Sequence, residues 1–205
     1  MNIKINNLGN DLGANLAKIR LAVGKLNDAH LPWDAENPID LVNQSDRMIR
    51  CYEKWLLDDE QRQMLSVQPG AKFILYASTY LCDIGLTDGQ ELPPFAKEYK
   101  DDRTPTFFNQ SLSTRSCRMI HDCWQDLCIP EEQFVSIITQ VCRHAGTPDD
   151  GNFSSAESET IVTDKATVNV ALLAAYLQLC KAIDLKSPAT ILQIISLMPA
   201  DNSIS

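Results

Sequence analysis

The segment from Phe73 to Leu86 reads FILYASTYLCDIGL and is nearly all apolar. It is too short to span a bilayer, which takes about 20 residues, and long enough for a buried helix. Its one carboxylate, Asp83, lies close to Gly85, the residue at which a helix would stop. Burying a carboxylate is costly unless another group pairs with it. The sequence therefore predicts a buried central helix and a partner for Asp83.

The composition is that of an ordinary globular protein. Of the 205 residues, 44% are hydrophobic and 22% are charged, which suits one domain with a substantial core. We expect a single domain over residues 1–205. Within it, residues 1–40 form an N-terminal helix and loop, 41–195 the core, and 196–205 a tail or linker.

The charge and the apolar runs exclude some classes of partner. The net charge of −9 and a pI near 4.7 argue against nucleic acid and acidic membrane surfaces as partners. No apolar run reaches about 18 residues, so no transmembrane helix is expected. The first residues lack the apolar core of a signal peptide, which predicts a cytoplasmic protein.

Seven cysteines occur without a Cys-x-x-Cys pair. Most fall within apolar patterns, so buried reduced thiols are expected and a structural zinc site is not.

The spacing of apolar residues predicts helices and no strands. Stripes with a spacing of three or four recur along the chain, and we find neither an alternating pattern nor an internal repeat. Pro69-Gly70 is expected to break the chain before the central helix, and Asp164 to cap the helix that follows it. The helices are predicted at about 8–29, 45–58, 60–66, 73–86, 107–128, 131–144, 165–184 and 191–198, with polar loops at 87–106 and 146–163.

Four stretches, in order, together resemble one family. They are residues 41–49 (LVNQSDRMI), 80–85 (YLCDIG), 112–116 (LSTRS) and 170–184 (VALLAAYLQLCKAID), with a fainter match at 141–146 (VCRHAG). They are similar to the motifs of the HD-domain metal-dependent phosphohydrolases, in the branch found alone or fused to Hsp90-like ATPase domains in bacterial proteins. The resemblance implies an all-α, HD-like helical bundle.

The same resemblance implies a degenerate metal site. Enzymes of this family hold divalent ions with histidine and aspartate side chains, and the ions activate a water and clamp a phosphoryl group. Here Asp83 alone matches that ligand set. The family's other ligand positions are occupied by Gln44, Cys82, Leu112, Ser113, Ala145 and Lys181.

Our hypothesis is that the Lys181 ammonium takes the place of the ion and is the partner of Asp83. No cofactor or metal is then expected, and no catalytic residue. The vestigial site would comprise Gln44, Cys82, Asp83, Ser113 and Lys181. The function that follows is a catalytically inactive interaction or regulatory module, whose partner is another protein or a fused ATPase domain.

Two alternatives stay open. One is a divergent metal-dependent phosphohydrolase acting on a nucleotide or another phosphate ester. The other is a pseudoenzyme that binds a nucleotide or phosphate through cations near the motifs. The cations for that site are Arg47, Arg115, Arg118 and Arg143.

Histidines offer little support for a metal site. His121-Asp122 is a literal His-Asp pair, but it falls on the polar side of its predicted helix, where an exposed pair is expected. His144 lies near a predicted helix C-terminus, where a histidine commonly interacts with the helix dipole.

Overall fold

The computed structural model describes residues 10–27, 40–56, 68–86, 112–146, 160–162 and 167–183. These ranges form an all-α fold, as predicted, with one short pair of strands. The α-helices are α1 (Asn10–Asn27), α2 (Leu41–Cys51), α3 (Pro69–Leu81), α4 (Leu112–Asp122), α5 (Glu132–His144) and α6 (Val170–Ile183). The strands are β1 (Thr160–Val162) and β2 (Thr167–Asn169).

Helix α2 begins earlier than its apolar pattern predicts. Asp40 is the N-cap, and its carboxylate accepts a hydrogen bond of 3.0 Å from the backbone N–H of Asn43. Such a cap satisfies an N–H group that has no partner within the helix. At its other end the helix continues as a π-helical turn, Tyr52–Leu56.

The central helix α3 also begins earlier than predicted. Pro69 does not break the chain but occupies the first turn of α3, with Gln68 as the N-cap. Proline suits this position because its missing N–H would have no helical partner there and its φ is already helical. The helix ends at Leu81, and a 3₁₀ turn over Ile84–Leu86 follows.

The hairpin corrects the prediction that the chain has no strands and that residues 146–163 are wholly a loop. β1 and β2 pair antiparallel, with Ile161 opposite Val168. Strands of three residues are too short to show a period of two in the sequence. Helix α6 therefore begins at Val170, where the Asn169 side chain accepts a hydrogen bond from Leu172 N (2.9 Å), and not after Asp164.

Helix α3 lies at the centre of the core. Every residue from Phe73 to Leu81 is buried, and the helix packs against α1, α2 and α5. Its aromatic side chains reach both sides: Tyr76 stacks on Tyr52 with ring centroids 6.5 Å apart, and Phe73 meets Phe134 at 5.3 Å. The apolar segment thus forms the hub on which the other helices assemble.

Several predictions fall outside the described residues. These are the short helix before residue 66, the loop at 87–106 and the final helix at 191–198. Among the described helices, none combines the length and apolarity needed to cross a membrane.

Candidate functional site

Asp83 is held at the C-terminal end of the central helix. The backbone N–H of Cys82 donates to Ser78 O at 2.9 Å and closes the last turn of α3. The next turn is fastened to α4, since Gly85 N donates to the Ser116 hydroxyl at 3.0 Å. Between these two anchors Asp83 is 4% exposed, so its carboxylate is both buried and fixed in place.

Lys181 provides the partner that a buried carboxylate requires. Its Nζ lies 2.7 Å from Asp83 Oδ1, and the side chains are 16% and 6% exposed respectively. Lys181 is in the last turn of α6, 98 residues from Asp83. The predicted contact between these two residues is therefore present, and it joins α6 to the end of α3.

The lysine stays charged although it is mostly buried. Burial alone lowers the pKa of an ammonium, but the Asp83 carboxylate outweighs burial, and the pKa of Lys181 lies above its usual value. The pair is thus an ion pair at neutral pH.

Gln44 brings helix α2 to the same carboxylate. Its amide Nε2 donates to Asp83 Oδ2 at 3.3 Å. The neighbouring Ser45 donates to the carbonyl of Thr79 at 3.0 Å, which fixes α2 against α3. Both oxygens of Asp83 therefore accept a hydrogen bond, one from α6 and one from α2.

Cys82 is a buried thiol beside the pair. Burial, with a further contribution from Asp83, raises the pKa of Cys82 to about 12. Its Sγ faces the Thr79 carbonyl at 3.5 Å. A thiol that stays protonated at neutral pH is a poor nucleophile and a poor metal ligand, and Cys82 acts here as a packing residue.

Ser113, the remaining residue of the predicted site, packs against the end of α5. A Cβ atom placed on Gly146 would lie 2.5 Å from Ser113 Oγ and 2.7 Å from its Cβ. Only a glycine allows this approach without displacement. The contact brings the third family-like stretch, at residues 112–116, against the fainter match at residues 141–146.

The four arginines proposed for phosphate binding occupy different environments. Arg115 is buried and Arg47 is half-buried, whereas Arg118 and Arg143 are exposed. Arg118 lies 3.7 Å from Asp122 on its own helix, and Arg143 adjoins the thiol of Cys117.

The histidines lie on the surface. His121 Nδ1 is 3.1 Å from Asp122 Oδ1, and its side chain is 79% exposed, as expected for an exposed pair. His144 is the exposed last residue of α5, and its carbonyl accepts a hydrogen bond of 2.8 Å from Gln178. In the part of the chain that the structure describes, no three His, Cys, Asp or Glu side chains group as metal ligands would.

A second buried carboxylate was missed from the sequence. Asp46 accepts two hydrogen bonds from Arg20, at 3.2 and 2.8 Å, and a third from the Tyr80 hydroxyl at 2.6 Å. A signal was present, because Asp46 lies on the same helical stripe as Val42 and Ile49. A carboxylate on an apolar stripe implies a buried partner, just as it does for Asp83.

Comparison with known proteins finds no match: no family model, no curated protein and no solved structure is similar to the chain.

Proposed function

We propose that this chain is a catalytically inactive HD-like module that acts by binding another protein, with the Lys181 ammonium in place of a metal ion. The observation that carries the proposal is the contact of 2.7 Å between Lys181 Nζ and Asp83 Oδ1. It unites the two family-like stretches that would form the centre of a metal site.

The chemistry of the donor set supports this proposal. Catalytic divalent ions in proteins take several imidazole or carboxylate ligands. At this site the groups that meet the Asp83 carboxylate are the Lys181 ammonium and the NH₂ group of the Gln44 amide, with the protonated Cys82 thiol beside them, and neither of these hydrogen-bond donors can ligate such an ion. The cation also repels a second cation, so an ion that entered would have to displace Lys181.

A metal-loading experiment tests whether the chain binds a divalent ion and hydrolyses phosphate esters with it. The purified chain is incubated with manganese, iron or nickel, desalted and measured by elemental analysis. We expect far less than one equivalent of ion and no metal-dependent hydrolysis of nucleotides or other phosphate esters. A stoichiometric ion, or turnover that depends on it, would overturn the proposal in favour of the phosphohydrolase.

A matched variant tests whether the loss of one metal ligand or of several explains the expected inactivity. Lys181→Asp restores a carboxylate beside Asp83 but leaves Gln44, Cys82 and Ser113 unchanged. We expect this variant to remain inactive with manganese. Activity in it would show that the centre needs only one substitution to work, contrary to the assignment of its residues.

The interaction itself is tested by reconstitution. Proteins that are retained on the immobilised 205-residue chain are purified individually and titrated against it by calorimetry. We expect a defined complex that does not depend on added metal or nucleotide. If instead only nucleotides bind, and Arg118→Ala with Arg143→Ala abolishes that binding, the phosphate-binding alternative replaces the protein-binding one.

A further inference from the structure

The outward face of α6 is apolar along its whole length. Leu172, Leu179 and Ile183 are 40%, 47% and 51% exposed, and Tyr176 is half-buried. We call these four residues the outer stripe. Their spacing of four, three and four places them on one side of the helix.

The opposite side of α6 is already occupied by the core. Val170, Leu173, Ala174, Leu177 and Cys180 are buried there, and the helix packs on α5 and α2. A helix that is hydrophobic all round is typically covered on both sides. The outer stripe therefore requires a further apolar surface.

From this geometry we infer that the outer stripe is the docking surface for the chain's own residues 189–198. This inference does not depend on the proposed function. The segment reads ATILQIISLM and lies outside the described residues. Ile191, Ile194, Ile195 and Met198 recur at a spacing of three or four, which predicts one apolar side of a helix.

The length of the connection fits this occupant. α6 ends at Ile183, and residues 184–188 (DLKSP) lead to the segment. Antiparallel helices are commonly joined by two to five residues, and Ser187-Pro188 is a typical helix start. The outer stripe spans 12 residues from Leu172 to Ile183, and the 11 steps between them measure about 16 Å at 1.5 Å per residue. A helix over 189–198 would have nearly the same length.

Connectivity also favours this segment over a separate molecule. Tethering the segment to the end of α6 gives it an effective concentration on the order of millimolar at the stripe. A second copy at lower concentration would have to compete with it.

Hydrogen exchange of the 205-residue chain tests the inference. We expect the amides of residues 189–198 to be protected at least tenfold relative to an unstructured peptide, equally at low and high protein concentration. Leu179→Asp should abolish most of that protection, because it places a charge at the centre of the stripe. Ile183→Asp is the second variant at the stripe and should act in the same direction.

Leu21→Asp is the matched control. Leu21 is a leucine on α1 that is 64% exposed and lies outside the stripe, so its substitution should leave the protection of residues 189–198 unchanged. The inference is overturned if these amides exchange freely in the unsubstituted chain. It is also overturned if Leu179→Asp and Ile183→Asp leave their protection intact, or if protection appears only together with a dimeric mass in light scattering.

Discussion

Two buried carboxylates, Asp46 on α2 and Asp83 just after α3, are neutralised in different ways. Asp83 has a lysine that comes from α6, 98 residues away, and an amide from Gln44. Asp46 has an arginine from α1, 26 residues away, and the hydroxyl of Tyr80. Both satisfy the rule that buried charges are paired, but only the ion pair of Asp83 and Lys181 joins two of the family-like stretches, since Arg20 lies outside them.

The cations differ in geometry and exposure. Arg20 binds both oxygens of Asp46 with its planar guanidinium, and its side chain is 35% exposed. Lys181 presents a point charge to one oxygen of Asp83, and its side chain is 16% exposed. A forked guanidinium suits a structural clamp, whereas a compact ammonium resembles a small ion in size and charge. This contrast supports a structural function for Asp46 and our proposal that Lys181 takes the place of an ion at Asp83.

The largest effect is expected when the lysine is removed. Lys181→Met leaves the Asp83 charge buried with Gln44 as its remaining donor, and we expect the free energy of unfolding to fall by about 3–5 kcal/mol. Urea denaturation at pH 7 measures this change. The matched control is Lys18→Met on α1, where the lysine is exposed and the change should stay within about 0.5 kcal/mol.

The double variant Asp83→Asn with Lys181→Met sharpens the result. Removing both charges should recover much of the lost stability, because no unpaired charge stays buried. If the single and the double variant are equally unstable, the loss comes from packing of the lysine stem and not from the charge of Asp83.

The ion pairs of Asp83 and Asp46 also show how much of the fold and of the site the sequence could predict. The buried helix followed from its apolar residues, and the need for a partner of Asp83 followed from the cost of burying a charge. That Lys181 is the partner followed from the order of the family-like stretches, since no local pattern links residues 98 apart. Arg20 lies outside those stretches, and so its pairing with Asp46 was missed although the same physical rule applies.

Other features depend on contacts that the sequence does not display. The hairpin is held by two three-residue strands and by a hydrogen bond of 3.2 Å from Thr167 N to the Gln68 side chain, 99 residues away. The close approach of Gly146 to Ser113 depends equally on how α4 and α5 pack. Local periodicity predicts which residues are buried, but not which elements they meet.

A smaller effect on stability is expected at the ion pair of Arg20 and Asp46. Arg20→Met should lower the free energy of unfolding by about 2 kcal/mol, because two charge-assisted hydrogen bonds are lost. The loss is smaller than for Lys181 since Asp46 keeps the Tyr80 hydroxyl and water can reach the position of the guanidinium. Parallel urea denaturation of both variants compares them, and Arg20→Lys shows how much of the effect comes from the forked geometry. A greater loss of unfolding free energy in Arg20→Met than in Lys181→Met would reverse the ranking of the two ion pairs.

The smallest effect is expected on the pH dependence of stability, which differs between the surroundings of Asp83 and those of Asp46. Each carboxylate adjoins a neutral acid whose pKa is raised, chiefly by burial: Cys82, to about 12, beside Asp83, and Tyr80 beside Asp46. A raised pKa means that the unfolded chain releases its proton first, so stability is full below the ordinary pKa of the group and declines above it. For the thiol that decline starts near pH 9, and for the phenol near pH 10.

Between pH 9 and pH 10 we therefore expect Cys82→Ala to reduce the loss of unfolding free energy by at most about 1.4 kcal/mol, the value for one proton over one pH unit. Tyr80→Phe should reduce the loss only above pH 10. The contribution of Lys181 to stability changes with pH in the same direction. Because the pKa of Lys181 is raised, this contribution is present at neutral pH and disappears in strong alkali. Val141→Ala, a buried substitution without a titrating group, controls for packing and should change the stability but not its pH dependence. The contrary outcome is that the unfolding free energy changes with pH equally for Cys82→Ala and for the unsubstituted chain. The thiol would then ionise as readily in the folded protein as in the unfolded one. The surroundings of Asp83 would be less apolar than its 4% exposure indicates.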